Sequence, residues 1–203
     1  MVSKHGEAST HINSQPVITI VSGLPRSGTS LMMQMLAAGG VPVLSDGERQ
    51  ADLDNPRGYY EWERIKLLPQ QPDLIAEAED KAVKAVSQLL FALPSGRNYQ
   101  IIFMERPLTE VVASQAEMIR RRGTSGAALP PAALIAGLSA HLNQVNAWLK
   151  GRPNISICRV AYHDVLREPL RSSENIQNFL GRAVDVEAMA RQVDAALYRQ
   201  RSA

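Results

Sequence analysis

Residues 17–36, VITIVSGLPRSGTSLMMQML, decide the fold of this chain. The β-branched run Val17–Val21 favours a strand. Gly23, Pro25, Ser27 and Gly28 favour a tight turn, and the apolar-rich stretch from about Thr29 predicts a helix. A strand, loop and helix in this order aim main-chain N–H groups and a helix N-terminus at a phosphate. From Gly23 to Ser30 the loop has the Walker A spacing, but Thr29 stands where that motif carries its lysine. The positive charge sits instead on Arg26, inside the turn. Glycine-rich turns at strand–helix junctions also occur without a ligand. A cation within the turn, flanked by the hydroxyls of Ser27, Thr29 and Ser30, favours the phosphate reading.

The rest of the chain sets the frame for that loop. At 203 residues it is long enough for one domain with a full core. We expect a loose polar tail over 1–15 and a single domain over 16–203. A formal net charge of +2 gives no general field for nucleic acid or a membrane surface, so any positive patch is local. No stretch reaches the apolar length of a membrane span, and the N-terminus lacks the apolar core of a secretory signal. The expected location is the cytoplasm. Cys158 is the sole cysteine, which excludes a disulfide framework, and its apolar surroundings predict a buried structural thiol.

Strands and helices alternate along the sequence. Gly39 and Gly40 stop the first helix, and Val41–Val43 is a short extended piece. The acidic, turn-rich stretch 45–58 is long for a loop in a compact domain. Residues 72–80 predict a short helix and 81–87 a strand. Ile101–Met104 reads as a central parallel strand, 108–122 as a helix entered through Pro107, and 131–149 as a longer helix after a loop over 123–129. Ile155–Val160 reads as another buried strand, with helices near 170–180 and 186–198. This alternation predicts a parallel α/β sheet covered on both faces.

A second signal lies in Met104-Glu105-Arg106-Pro107, with Ser114 eight residues beyond Arg106. Ligands of open parallel sheets collect at the carboxyl ends of the strands, where Arg106 falls. An arginine there and a hydroxyl on the following helix can hold a second phosphate, although each is also an ordinary surface residue type.

Together these segments resemble the sulfotransferases that use 3′-phosphoadenosine 5′-phosphosulfate (PAPS). Pro25-Arg26-Ser27-Gly28-Thr29-Ser30 is similar to the family's 5′-phosphosulfate loop, and Arg106 with Ser114 to its 3′-phosphate site. Residues 161–169 (AYHDVLREP) with 178–181 (NFLG) are similar to its later Tyr-x-Asp segment and helix, and 54–61 (DNPRGYYE) to a subset of bacterial members. The likeness runs over about 16–200. It implies a P-loop NTPase-like three-layer α/β sandwich, PAPS as co-substrate without a metal, and transfer of a sulfuryl group to a hydroxyl or amine. The acceptor is a small molecule or a peptide. The resemblance assigns Arg26 and Thr29 to the leaving 5′-phosphate side, and Lys84 to the lysine that leads from a strand into the active site. Lys81 and Lys84, three apart, face opposite sides of a strand.

The chain departs from the family in two places. Val86 occupies the position where some members carry a histidine base, and no C-terminal Arg-Lys-Gly segment is present; Arg199 and Arg201 are loose substitutes. Glu48 and Glu61 are the carboxylates available as bases if burial raises their pKa values. His163 reads as structural. Arg120–Arg122 either complement a helix C-terminus or shield a phosphate as part of a lid. Two alternatives stay open: a small P-loop nucleotide or metabolite kinase, and a nucleotide-binding protein without catalysis.

Overall fold

Val17–Gly23 forms the central strand, β1, of an all-parallel sheet. On one side it pairs with β3 (Ala82–Lys84), which in turn pairs with β2 (Val43–Leu44). On the other it pairs with β4 (Asn98–Glu105), and β4 with β5 (Ile155–Ala161). The five strands therefore run in the order β2-β3-β1-β4-β5. The coordinates are a computed structural model that describes residues 16–52, 55, 57–123 and 129–194, without the side chain of Arg122. The tail 1–15, Asp54, Pro56, residues 124–128 of the expected loop, and Arg199 and Arg201 lie outside the described residues.

Helices cover both faces: α1 (Thr29–Ala38), α2 (Leu108–Arg122), α3 (Pro131–Leu149), α4 (Tyr162–Arg167), α5 (Pro169–Leu180) and α6 (Val186–Ala190). Successive side chains of a strand point to opposite faces, and here they feed two separate cores. Ile18, Ile20, Ile101 and Phe103 pack with Trp62, Ile75, Leu90 and Val145. Val21, Ile102 and Met104 pack with Met32, Met33 and Leu36 of α1 and with Ile176 and Met189. Ile18, Ile20, Ile101 and Ile102 are fully buried, each contributing about 1.5–3 kcal/mol of transfer free energy. The result is the expected three-layer α/β sandwich.

Three expectations change in detail. The strand read over 81–87 is only Ala82–Lys84; Ala85 still donates to Val21, and a 3-10 turn then takes over at Ser87–Ala92. The helix read over 72–80 is a 3-10 segment, Pro72–Ala78. β5 is not a buried strand: it ends the sheet, has one neighbour, and leaves Ser156, Ile157 and Arg159 exposed. Cys158 on it is half-buried, and burial pushes its thiol pKa up.

Sheet topology positions the site. The chain leaves β1 towards β2 and β3 on one side and reaches β4 and β5 on the other. The carboxyl ends at this reversal are Gly23, Lys84, Glu105 and Ala161. Such a switch point opens a crevice where ligands bind in open α/β sheets.

Candidate functional site

The loop leaving β1 is held in an uncommon backbone shape. Ser27 N–H donates to Leu24 O at 3.1 Å, closing a turn. Arg26 and Gly28 both take left-handed conformations, φ +72° and +100°. At Gly28 a Cβ would also lie 2.4 Å from Cδ2 of Tyr162, so glycine is required by space as well as by backbone. Arg26 has a Cβ and holds the left-handed region at a cost of about 1–2 kcal/mol. Gly28 caps α1, whose first-turn N–H groups have no intrahelical acceptor and no side-chain cap.

A cavity of about 440 Å³ opens over that helix end. Pro25, Arg26, Gly28, Thr29 and Ser30 line it, together with Lys84, Arg106, Ser114, Glu61 and Tyr162. Segments more than eighty residues apart in sequence thus share one space. Ser27 does not. The residue is 1% exposed, its hydroxyl has no hydrogen-bond partner among the described residues, and it lines a second cavity of about 120 Å³ with Leu24, Phe103 and Met104. Glu48 is exposed and lies off the cavity lining, so Glu61 alone of the two candidate carboxylates borders it.

On the β4 side, the Arg106 guanidinium is almost fully enclosed. Its Nε donates to Glu110 Oε2 at 2.9 Å and its Nη1 to the carbonyl of Arg26 at 3.1 Å. Its Cζ stands 5.0 Å from the ring centre of Tyr162. Glu110, 2% exposed, also meets His163 Nε2 at 3.1 Å. His163 is therefore a partner of Glu110, in line with its structural reading. Arg26 Nε donates to Ser114 Oγ at 2.9 Å, so the β1–α1 loop is joined once to α2 and once, through Arg106, to the segment that leaves β4.

Across the cavity, Lys84 is 8% exposed and donates to Ser30 Oγ at 3.3 Å, to Glu61 Oε1 at 3.0 Å, and to the carbonyl of Tyr59. Burial lowers the Lys84 pKa, with the attraction of Glu61 opposing it. Glu61 is itself disfavoured as an anion by burial, but Lys84 and then Arg49 outweigh this and hold its carboxyl below the usual range. Arg49 Nη1 lies 2.9 Å from Glu61 Oε1 and its Cζ 3.4 Å from the ring centre of Tyr59. Lys81 points elsewhere and donates to the carbonyl of Glu77.

The acidic loop is fastened over α1. Ser30 Oγ donates to Tyr59 O and Gln34 Nε2 to Gly58 O, both at 3.3 Å. Arg57 reaches across to the carbonyl of Gln192 and to Asp194. Arg120 and Arg121 both pair with Glu117, and hydrogen bonding from Arg120 holds that carboxyl near a pKa of about 2. Arg121 and Glu117 border the cavity.

Sequence reasoning missed Arg49 and Glu110, and named Tyr59 and Tyr162 only within longer motifs, with no role at the site. Glu110 had a local signal, four residues after Arg106 on one helix face. Arg49 had none, because a loop residue meets its partners only through the path of the backbone.

No family model and no curated protein matches the sequence. Solved structures do. The sulfotransferase STF1 from Mycobacterium tuberculosis H37Rv superposes with a TM-score of 0.58 at 17% identity, over 91% of this chain and 74% of that one. The sulfotransferase domain of the Synechococcus PCC 7002 olefin synthase gives 0.56 at 18%, over 92% and 80%. A sulfotransferase from Alicyclobacillus acidocaldarius gives 0.50 at 14%, over 89% and 95%. The likeness is one of backbone: this chain has the fold of these sulfotransferase structures.

Proposed function

We propose that the chain is a sulfotransferase that takes its sulfuryl group from PAPS. The observation that carries the reading is the single 440 Å³ cavity in which the helix-capping loop, Arg106 with Ser114, and Lys84 converge. An adenine nucleotide with phosphates at both ends of its ribose needs two anion sites facing one space. The first-turn N–H groups of α1, with the Thr29 and Ser30 hydroxyls, suit the 5′ end. Arg106 and the Ser114 hydroxyl suit the 3′-phosphate, where charge-assisted hydrogen bonds are the strong ones. Fold neighbours that are sulfotransferases support the same reading.

In the reaction, an acceptor oxygen or nitrogen attacks sulfur in line. A new bond to sulfur forms as the bond from sulfur to the bridging phosphate oxygen breaks, and 3′-phosphoadenosine 5′-phosphate (PAP) leaves with the electron pair. By analogy with phosphoryl transfer, the protein positions the reactants and stabilises charge on the departing oxygen. Lys84, next to Ser30, supplies a buried cation for that charge. Glu61 fixes Lys84 and takes the acceptor proton late, once bonding to sulfur has made that proton strongly acidic.

Thermal shift with PAP, PAPS and Mg-ATP tests the proposal, followed by transfer of labelled sulfate to a panel of phenols, alcohols and amines. Stabilisation by PAP and PAPS with turnover on the panel is expected. Stabilisation by Mg-ATP alone favours the kinase, and PAP binding without turnover favours the binding protein.

A further inference from the structure

Two cations bind Glu61 at one of its oxygens. Lys84 Nζ and Arg49 Nη1 both donate to Oε1, at 3.0 and 2.9 Å, and Oε2 makes no hydrogen bond among the described residues. Arg49 is itself held from behind. Its Cζ lies 3.4 Å from the ring centre of Tyr59, whose hydroxyl bonds to both carboxylate oxygens of Asp52, at 2.7 and 2.8 Å. A planar guanidinium stacked on a fixed ring loses little further freedom when it binds a carboxylate. We infer that Arg49 is a positioning residue of the reaction: with Lys84 it holds Glu61 by Oε1, leaves Oε2 for the acceptor proton, and fits the site to a phenol rather than an amine or an aliphatic alcohol.

Three observations carry the acceptor class. The first is charge. Around the cavity Lys66 pairs with Glu63, Arg121 with Glu117 and Arg57 with Asp194. Lys84 and Arg49 share the single carboxylate of Glu61, so that corner holds one positive charge in excess. Such a field favours an acceptor oxygen as it loses its proton and disfavours an ammonium. The second is shape. Ile65, Val86, Leu89 and Met118 border the same cavity. Val86 follows Lys84 by two residues, the period that keeps two side chains on one side of an extended chain, and is 38% exposed. An aromatic ring buries well against such a wall. The third is base strength. Lys84 and Arg49 hold the Glu61 carboxyl below its usual range; Tyr59, Asp52 and Glu63 are the other titratable groups that act on this cluster. A weak base matches an acidic acceptor, and a phenol ionises near pH ~10, far below an aliphatic hydroxyl. In the step, the phenolic oxygen bonds to sulfur as the bond from sulfur to the bridging phosphate oxygen breaks. PAP leaves with that electron pair, and the phenol proton passes to Oε2 of Glu61.

The inference rests on the sulfotransferase reading of the cavity, and the test keeps the two apart. PAP binding to the whole chain is measured by calorimetry. Transfer from PAPS is measured with 4-methylphenol, 4-nitrophenol, benzyl alcohol and benzylamine. For wild type, kcat/KM on 4-methylphenol is expected to exceed that on benzyl alcohol and benzylamine by at least about 100-fold. In Arg49→Met, the acid limb of the kcat profile for 4-methylphenol should rise by about 1–2 pH units. Its kcat at pH ~8 should fall about 10- to 100-fold, with less than about threefold loss on 4-nitrophenol, which is largely ionised there and has little proton to give. Arg49→Lys keeps the charge and should return the limb to within about half a pH unit of wild type. PAP affinity in both variants should stay within about threefold of wild type, which also shows that they are folded. Wild-type protein that binds no PAP overturns the sulfotransferase reading and this inference together. With PAP bound, transfer to benzylamine or benzyl alcohol as fast as to the phenols, or to none of the four, overturns the acceptor class. An acid limb unmoved in Arg49→Met overturns the role of Arg49.

Discussion

At the level of single residues, the site depends on charges whose environments were not visible in their identities. Glu61 has a folded pKa below its ordinary value because Lys84 and Arg49 outweigh its burial. Its ionised form therefore stabilises the fold at neutral pH, and that contribution fades as pH falls through the depressed pKa. Glu61→Gln leaves the buried Lys84 ammonium without its carboxylate. It is expected to cost about 1–3 kcal/mol at pH 7, with the gap to wild type closing below about pH 4; urea unfolding across pH checks both. Glu110 is the more deeply enclosed acid, and Arg106 is nearly as buried. Removing one partner of such a pair typically costs about 3–5 kcal/mol, so Glu110→Gln should lower stability by about that amount and weaken PAP binding. A loss under about 1 kcal/mol in the same unfolding experiment would show that Glu110 does not hold Arg106.

Among the elements, the β1–α1 loop is the least tolerant of change. Gly28→Ala places a Cβ 2.4 Å from Tyr162 in a backbone region that disfavours any side chain. We expect it to destabilise the protein by about 2–4 kcal/mol and to remove PAP stabilisation, as read by melting temperature with and without ligand. This loop was legible in the sequence because every determinant is local: β-branched residues, glycines and a helix start lie within twenty consecutive positions. β3 was legible only in part. Its pattern reads as a longer strand, but only Ala82, Val83 and Lys84 have register partners on β1. β5 misled for a different reason. An apolar run reports that a segment is suited to a sheet, and says nothing of whether a second neighbour covers its outer edge.

For the whole molecule, ligand binding and folding are coupled because the cavity is shared by segments far apart in sequence. A ligand at a hundred times its dissociation constant adds about 2.7 kcal/mol to stability, which is a rise in melting temperature of about 5–11 °C for a domain of this size. PAP should produce that rise, and Arg106→Ala should remove most of it. The Arg57 contacts to Gln192 and Asp194 tie the acidic loop to the segment after α6. That pair is partly exposed, so Arg57→Ala should change stability by less than about 0.5 kcal/mol.

The sequence by itself determined the layer order, the phosphate-directed loop and the pairing of Arg106 with Ser114 as candidates, since strand propensity, turn chemistry and eight-residue spacing act over short distances. Its choice of Lys84 over Lys81 came from the family resemblance; the strand period did not bear on it, because Lys81 precedes β3. Only the tertiary structure decided that Ser27 lines a second cavity, that Glu48 stands clear of the first while Glu61 borders it, and that the Arg26 guanidinium lies on α2. Side-chain direction in an irregular loop follows from contacts between segments brought together by the sheet, and the order of residues along one segment does not contain them.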